Sequence, residues 1–253
     1  MSSLVRYDVS DRVATITLDS PKNRNALSRT LVTELTGHLD AAQADPEPRA
    51  VVLTHTGHVF CSGADLSEAG AQPSSDATTA MMTVMTKIVE LDKPVIARLA
   101  GHVRAGGMGI VGACDAAFAT EAASFAFTEA RIGLAPAIIS LTTLDLMPPR
   151  AASRYYLTGE TFGAQAAAEA GLITGATTEA ELDGLVAELV SQIKETSPQG
   201  SAETKRLLTR ARRQRMAADS ADMAALSARL FASGEAQEGI HAFLERRPPA
   251  WRQ

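Results

Sequence analysis

Two apolar stretches of this chain end in the same way, and that constrains the fold more than any other feature. "AVVLTH" (50–55) leads through "HVFC" to Gly63, and "VIARL" (95–99) leads to Gly106, each ahead of a segment that reads as helix. Glycine permits a sharp backbone turn and lets a ligand come close to the main chain. The amide N–H groups just past a strand-to-helix turn have no intrahelical partner and sit at the positive end of the helix dipole. Two such corners brought face to face would grip one developing oxyanion. A glycine at either place serves close packing equally well, and spacing alone does not bring the two together.

The surrounding pattern is α/β. Val5–Val9 and Val13–Leu18 alternate with period two on either side of a turn-like "SDR" and predict a hairpin. "SPKNRNALS" follows as a loop, and a helix is expected over Ser28–Ala42, with Leu31, Leu35 and Leu39 on one face. A helix is expected to begin at or after Ala64, and another over "MMTVMTKIVEL". "AAFAT" and "SFAFTE" predict further short strands. After about Pro149 the pattern changes to successive helical segments, among them "SAETKRLLTRARRQRMA", "SADMAALSARLF" and "EAQEGIHAFLERR", with Gly159 and Gly171 as stops. The expected division is a core over 1–195 with its trailing helices and a helical region over 196–253.

Composition excludes several classes. With 45% hydrophobic residues, the 253-residue chain can bury a substantial core. A formal net charge of -5 argues against nucleic acid or an anionic membrane as the main partner. No apolar run is long enough to span a bilayer, and "MSSLVRYDVS" lacks the apolar centre of a secretory leader. Cys61 and Cys114 are too few for a disulfide scaffold and suit free thiols in a reducing cytoplasm.

The side chains of "HVFCSGADL" invite other chemistry. Cys61 next to Phe60 reads better as a packed thiol than as a nucleophile, and no GxSxG elbow is present. His55, His58 and Cys61 would need a distant further ligand to hold zinc, so no metal is expected.

"VFCSGADL", "AGGMGIVGACDAAFAT" and "FAFTEARIGLAP", in this order and spacing, resemble the crotonase or enoyl-CoA hydratase/isomerase superfamily. "SPKNRNALS" and "EGIHAFLERRPPAW" extend the resemblance over almost the whole chain. It implies a ββα spiral core with a C-terminal helical layer, an acyl-CoA thioester as substrate, and no separate cofactor. It implies that the backbone N–H groups of Ala64 and Gly106 hold the thioester oxygen. Lys22, Arg24 and Ala26 would lie by the adenine and phosphates, and Ala64, Asp65 and Leu66 by the pantetheine and adenine. Phe243 and Arg246 match a pair that reaches CoA, in some relatives a neighbour's. The resemblance implies a homotrimer or a dimer of trimers, with 196–253 as the trimerisation region. From the residues alone, Lys22 and Arg24 also fit solvated loop charges, and Asp65 a helix start.

Hydratases of the superfamily often use two glutamates. The second matches Glu129 in "FTEARIGL", where the preceding apolar run would raise its pKa and suit it to proton transfer. The first would fall at Gly109 and is missing. One carboxylate suits a 3,2-enoyl-CoA isomerase. Yet "GLAPAIIS" resembles a branch near the methylglutaconyl-CoA hydratases, where a GLxPAxIS pattern replaces a glycine-rich IPGAGG segment. That likeness implies hydration without the usual first acid. Ser140 and Arg131 are the polar residues nearby, each with an ordinary capping or surface role open to it. Dehalogenation is disfavoured because Ala137 stands where an aspartate would serve. The expected activity is hydration of a 2-enoyl-CoA, with isomerisation as the alternative and non-catalytic acyl-CoA binding as a third. The polar segment Ala69–Ala80 is expected to lie beside the acyl pocket as a lid, and Met81, Met82 and Met85 either line that pocket or pack the helix.

Overall fold

The computed structural model describes residues 3–65 and 75–252, the side chains of 75–77 excepted. It opens with the predicted hairpin, β1 (Val5–Ser10) and β2 (Val13–Leu18), paired antiparallel. Asp11 and Arg12 both take positive φ (48° and 61°), the geometry that matches a two-residue turn to strand twist. Ala14, Ile16 and Leu18 point into the core while Val13, Thr15 and Thr17 stay half-exposed, as period two requires. Helix α1 (Arg29–Ala44) starts at Ser28, whose hydroxyl accepts from the N–H of Leu31, and buries Leu31, Leu35 and Leu39.

Three strand pairs then wind up a spiral. β3 (Ala50–His55), β5 (Val95–Leu99) and β7 (Ala116–Thr120) lie parallel in a six-stranded sheet ordered β1-β2-β3-β5-β7-β10, its last strand β10 being Gly175–Thr177. Each is followed by a short strand that joins a second sheet: β4 (Val59–Cys61), β6 (His102–Arg104) and β8 (Ser124–Ala126), also parallel. β9 (Phe162–Gly163) closes this four-stranded sheet at one edge. Each turn of the spiral ends in helix: α2 (Ser75–Glu90), α3 (Gly106–Ala113), then α4 (Ala137–Thr143) after a 3-10 turn at Glu129–Ile132. The expected α/β class and ββα spiral are therefore the fold.

The core lies between the sheets and α1–α4, with Phe60, Phe125, Phe127, Met85 and Ile88 fully buried. The larger sheet is covered on its other face by α7 (Glu179–Glu195), where Val186 and Val190 meet Val52 and Ile96. α5 (Pro149–Thr158) ends at Gly159 and α6 (Ala164–Glu169) just before Gly171, both glycines in the left-handed region as expected.

The last region departs from the sequence reading. "SAETKRLLTRARRQRMA" and "SADMAALSARLF" form one helix, α8 (Pro198–Phe231), of 34 residues. No glycine or proline interrupts 201–232, so nothing ends the helix between the two segments. α8 packs across α2 and α4. Its Lys205, only 4% exposed, reaches Asp115 at 2.7 Å and donates to the carbonyls of Ile88 and Lys93. The final helix α9 (Gly234–Leu244) leans on the Glu129–Ile132 turn. The 195/196 division falls in the break between α7 and α8. The expected helix start after Ala64 and residues 69–74 of the expected lid lie outside the described residues, while 75–80 are not loop but the opening of α2. Ala64 itself pairs with Leu27 in a bridge.

Candidate active site

The loop after β2 is fastened to the first glycine corner. Arg24 and Asn25 are left-handed (φ 52° and 51°), a conformation asparagine tolerates better than most residues. Asn25 is fully buried: its amide donates to the carbonyls of Thr56 (3.1 Å) and Val59 (2.7 Å), and its Oδ1 accepts from Ser20 N–H (2.7 Å). Ser62 N–H donates to Arg24 O, Leu27 N–H to Gly63 O at 2.8 Å, and Asn23 Nδ2 to Asp65 Oδ2 at 2.6 Å. The fold thus brings Lys22, Arg24, Ala26, Ala64 and Asp65 together on two paired segments. Lys22, Arg24 and Ala64 are exposed, Asp65 half-buried and Ala26 buried. Leu66 lies outside the described residues.

The second corner faces the first. Ala105 precedes α3 with φ 45° and ψ −119°, strained for a residue with a β-carbon, and its N–H donates to Ala126 O. A β-carbon on Gly63 would stand 3.4 Å from Gly106 N, and one on Gly106 would stand 3.6 Å from Gly63 Cα. The two corners are therefore in contact. Neither Ala64 N–H nor Gly106 N–H has an acceptor among the described residues. Of the two, the Gly106 corner is seen to open a helix; Ala64 is in extended pairing.

Glu129 opens the 3-10 turn after β8, three residues beyond Ala126, the residue that pairs with Arg104 and holds Ala105. The residue as a whole keeps some exposure, but Oε2 is sealed and has no hydrogen-bond partner. Burial pushes the carboxyl up to about 7, with its own backbone N–H opposing the rise. The Phe127 ring lies 4.3 Å from that of Tyr156, and the Tyr156 hydroxyl pairs with Thr143 Oγ1.

The position of the absent first acid is closed. A β-carbon on Gly109 would fall 2.7 Å from Ile139 Cγ2 and 2.8 Å from Met85 Sδ. Thr142 Oγ1 donates to Gly109 O at 2.9 Å. Met85 is thus packed on α3, and Met81 on Gly106. Ser140 is inside α4 with its hydroxyl turned onto Ala137 O, and Arg131 Nε donates to Thr158 O. Cys61 is a packed thiol, pushed up to about 12 by burial. His55 Nε2 accepts from Ala100 N–H. Phe243 and Arg246 are exposed at the end of α9.

Three residues escaped the sequence reading: Asn25, Ala105 and Ile139. Asn25 had a signal, an asparagine inside "KNRNA" ahead of a helix cap. Ala105 had none, because its strain belongs to the backbone. Ile139 is visible only once α4 lies on α3.

A two-sheet ββα spiral with paired backbone corners is a crotonase-type scaffold. The profile of the enoyl-CoA hydratase/isomerase family matches residues 8–253, and the chain belongs to that family. An enoyl-CoA hydratase crystal structure from Mycobacterium avium is 51% identical, with a TM-score of 0.92 over 99% of this chain and 100% of that one. Enoyl-CoA hydratase domain-containing protein 3, mitochondrial, of Danio rerio is 31% identical over 99% of this chain and 88% of its own. Carnitinyl-CoA dehydratase of Escherichia coli K12 is 30% identical over 100% and 99%. Membership supports an enzyme acting on a CoA thioester without a separate cofactor. No described helix is long and apolar enough to cross a membrane.

Proposed function

We propose that the protein is an enoyl-CoA hydratase-type lyase that adds water to a 2-enoyl-CoA. The observation that carries this reading is the sealed, unpartnered Oε2 of Glu129, on the turn that follows the strand holding Ala105. Raised to about 7 by burial, the carboxyl is suited both to take and to give a proton near neutral pH. As ionised base it takes one proton from water while the water oxygen bonds C3. Charge moves to the thioester oxygen, where Ala64 N–H and Gly106 N–H donate to it. Glu129 then returns that proton to C2, and the other water hydrogen stays on the new hydroxyl. The hydratase and dehydratase relatives support this type of chemistry, addition of water or its reverse. Lys22, Arg24, Ala26, Asp65 and Leu66 would hold the CoA, with Phe243 and Arg246 reaching it from a neighbour in a trimer or a dimer of trimers. The exposed Phe243 and Leu244 on 196–253 support that assembly.

The closed space at Gly109 favours a second reading, 3,2-enoyl-CoA isomerisation. There Glu129 removes a C2 proton and returns it at C4 as the double bond moves from C3–C4 to C2–C3. Ultraviolet absorbance of the conjugated enoyl thioester separates the two. Hydration of crotonyl-CoA consumes the signal, and isomerisation of a 3-enoyl-CoA creates it. Acyl-CoA binding with neither change across short, long and branched thioesters would reject catalysis in favour of a carrier.

A further inference from the structure

Gly106 and Gly109 lie three residues apart on α3 and so share one face of that helix. Met81 and Met85, four apart on α2, cover the same face, Met81 at Gly106 and Met85 at Gly109. Ile139 completes this wall from α4, the helix that follows the turn carrying Glu129. Its Cγ2 is 2.7 Å and its Cβ 3.0 Å from the place of a Gly109 β-carbon. Ile139 and Met85 are 3% and 0% exposed, so the wall is packed shut. The hydroxyl in this patch, Thr142 Oγ1, is fully buried and donates to Gly109 O.

A reacting water needs two or more polar partners to be held in place. A thioether and an isoleucine give it none of useful strength, and Thr142 has spent its proton. On this reading a water entering the site has Glu129 as its protein anchor. Double-bond migration needs no water, so a dry wall slows one reaction and spares the other. We propose that Ile139, backed by Met85, is a specificity-determining residue that sets the ratio of water addition to double-bond migration by closing the space over Gly109. This rests on the acid/base function assigned above to Glu129.

The ratio is measured on purified full-length protein as hydration of crotonyl-CoA against isomerisation of a 3-enoyl-CoA. Ile139→Ala opens the wall and is expected to raise the hydration share about fivefold or more. Ile139→Thr keeps the branched β-carbon while offering a hydroxyl, and is expected to move the ratio the same way. Ile139→Leu keeps the wall apolar and is expected to leave it near wild type. A folded Ala or Thr variant whose ratio stays within about twofold of wild type overturns the proposal. Loss of fold in both also overturns it, because a residue that tunes specificity has to tolerate a smaller side chain. Glu129→Gln separates the two levels. If it abolishes both reactions while the ratio ignores Ile139, only the wall proposal fails. If it leaves both reactions intact, or if the wild type performs neither, the functional reading fails and the proposal with it.

Discussion

A β-carbon added to Gly63 would lie 2.8 Å from the β-carbon of Ala105, so the two corners leave no room for a side chain between them. Gly63 also sits at φ 94°. Gly63→Ala is therefore expected to force the corners apart and lower kcat by about 10²–10³-fold, as loss of an oxyanion donor does. Steady-state kinetics on a 2-enoyl-CoA check this, and an unchanged kcat would remove the corners from the mechanism.

Ala105 carries the strain of that approach. Ala105→Gly relieves a conformation costing on the order of 1 kcal/mol or more, which predicts a Tm higher by about 2–4 °C for a chain of this size. Turnover is expected to fall in the same variant, because a glycine there no longer fixes the direction of Gly106 N–H. Calorimetry paired with kcat reads both changes, and a lower Tm would show that the alanine is not strained.

Glu129→Gln is expected to cost about 10²–10⁴-fold in turnover while largely sparing CoA affinity. In the wild type, the base-dependent rate should rise with pH through about 7, as the carboxylate forms. Stability runs the other way. The folded pKa is raised above the unfolded 4.5, so the folded state holds its proton longer. It is favoured below that pH and loses this contribution as pH rises to about 7. Urea titrations at pH 4.5 and 8 should show that difference in the wild type and a smaller one in Glu129→Gln.

Lys205 is almost wholly buried against Asp115. Lys205→Met is expected to destabilise by about 3 kcal/mol, mainly by leaving Asp115 without its ion partner and with Val95 N–H alone. Pairing it with Asp115→Leu should recover much of the loss. Denaturant midpoints of the single and double variants measure it, and additive losses would show the two are not coupled.

Arg247 beside Glu238 holds that carboxyl down at about 2, and Ala250 N–H adds to the effect. A carboxyl lowered in the folded state stabilises it above the unfolded pKa and stops doing so as pH falls. The contact to the C-terminal turn should therefore loosen between pH 4.5 and about 2. Trp251, the chain's one tryptophan, sits in that turn and reports it by fluorescence. Glu238→Gln should abolish the acid step; an identical step in that variant would place its origin elsewhere.

Local pattern carried the elements that depend on neighbours in sequence. The hairpin, the helix after Ser28, the stops at Gly159 and Gly171 and the strand-to-glycine corners were all legible because period and turn chemistry act over a few residues. The single α8 reads in the sequence as two helical segments on either side of Ala218 and Asp219, where nothing physical ends a helix. Glu129 could be named through its motif, while its sealed Oε2 depends on α5 and α9 packing against its turn. The closure over Gly109 joins three segments distant in sequence, and so no local spacing could disclose it.

The parallel pairing of β4 with β6, in which Val59 lies opposite His102, has a consequence for how such a protein diversifies. Gly63 and Gly106 leave from the ends of adjacent strands, so the gauge between them is inherited from the roughly 4.8 Å spacing of any β-ladder. Substitutions away from Gly63, Ala105 and Gly106 leave that gauge unchanged, since it is set by backbone pairing. The surrounding residues are then free to drift while the distance between the proposed oxyanion donors stays constant.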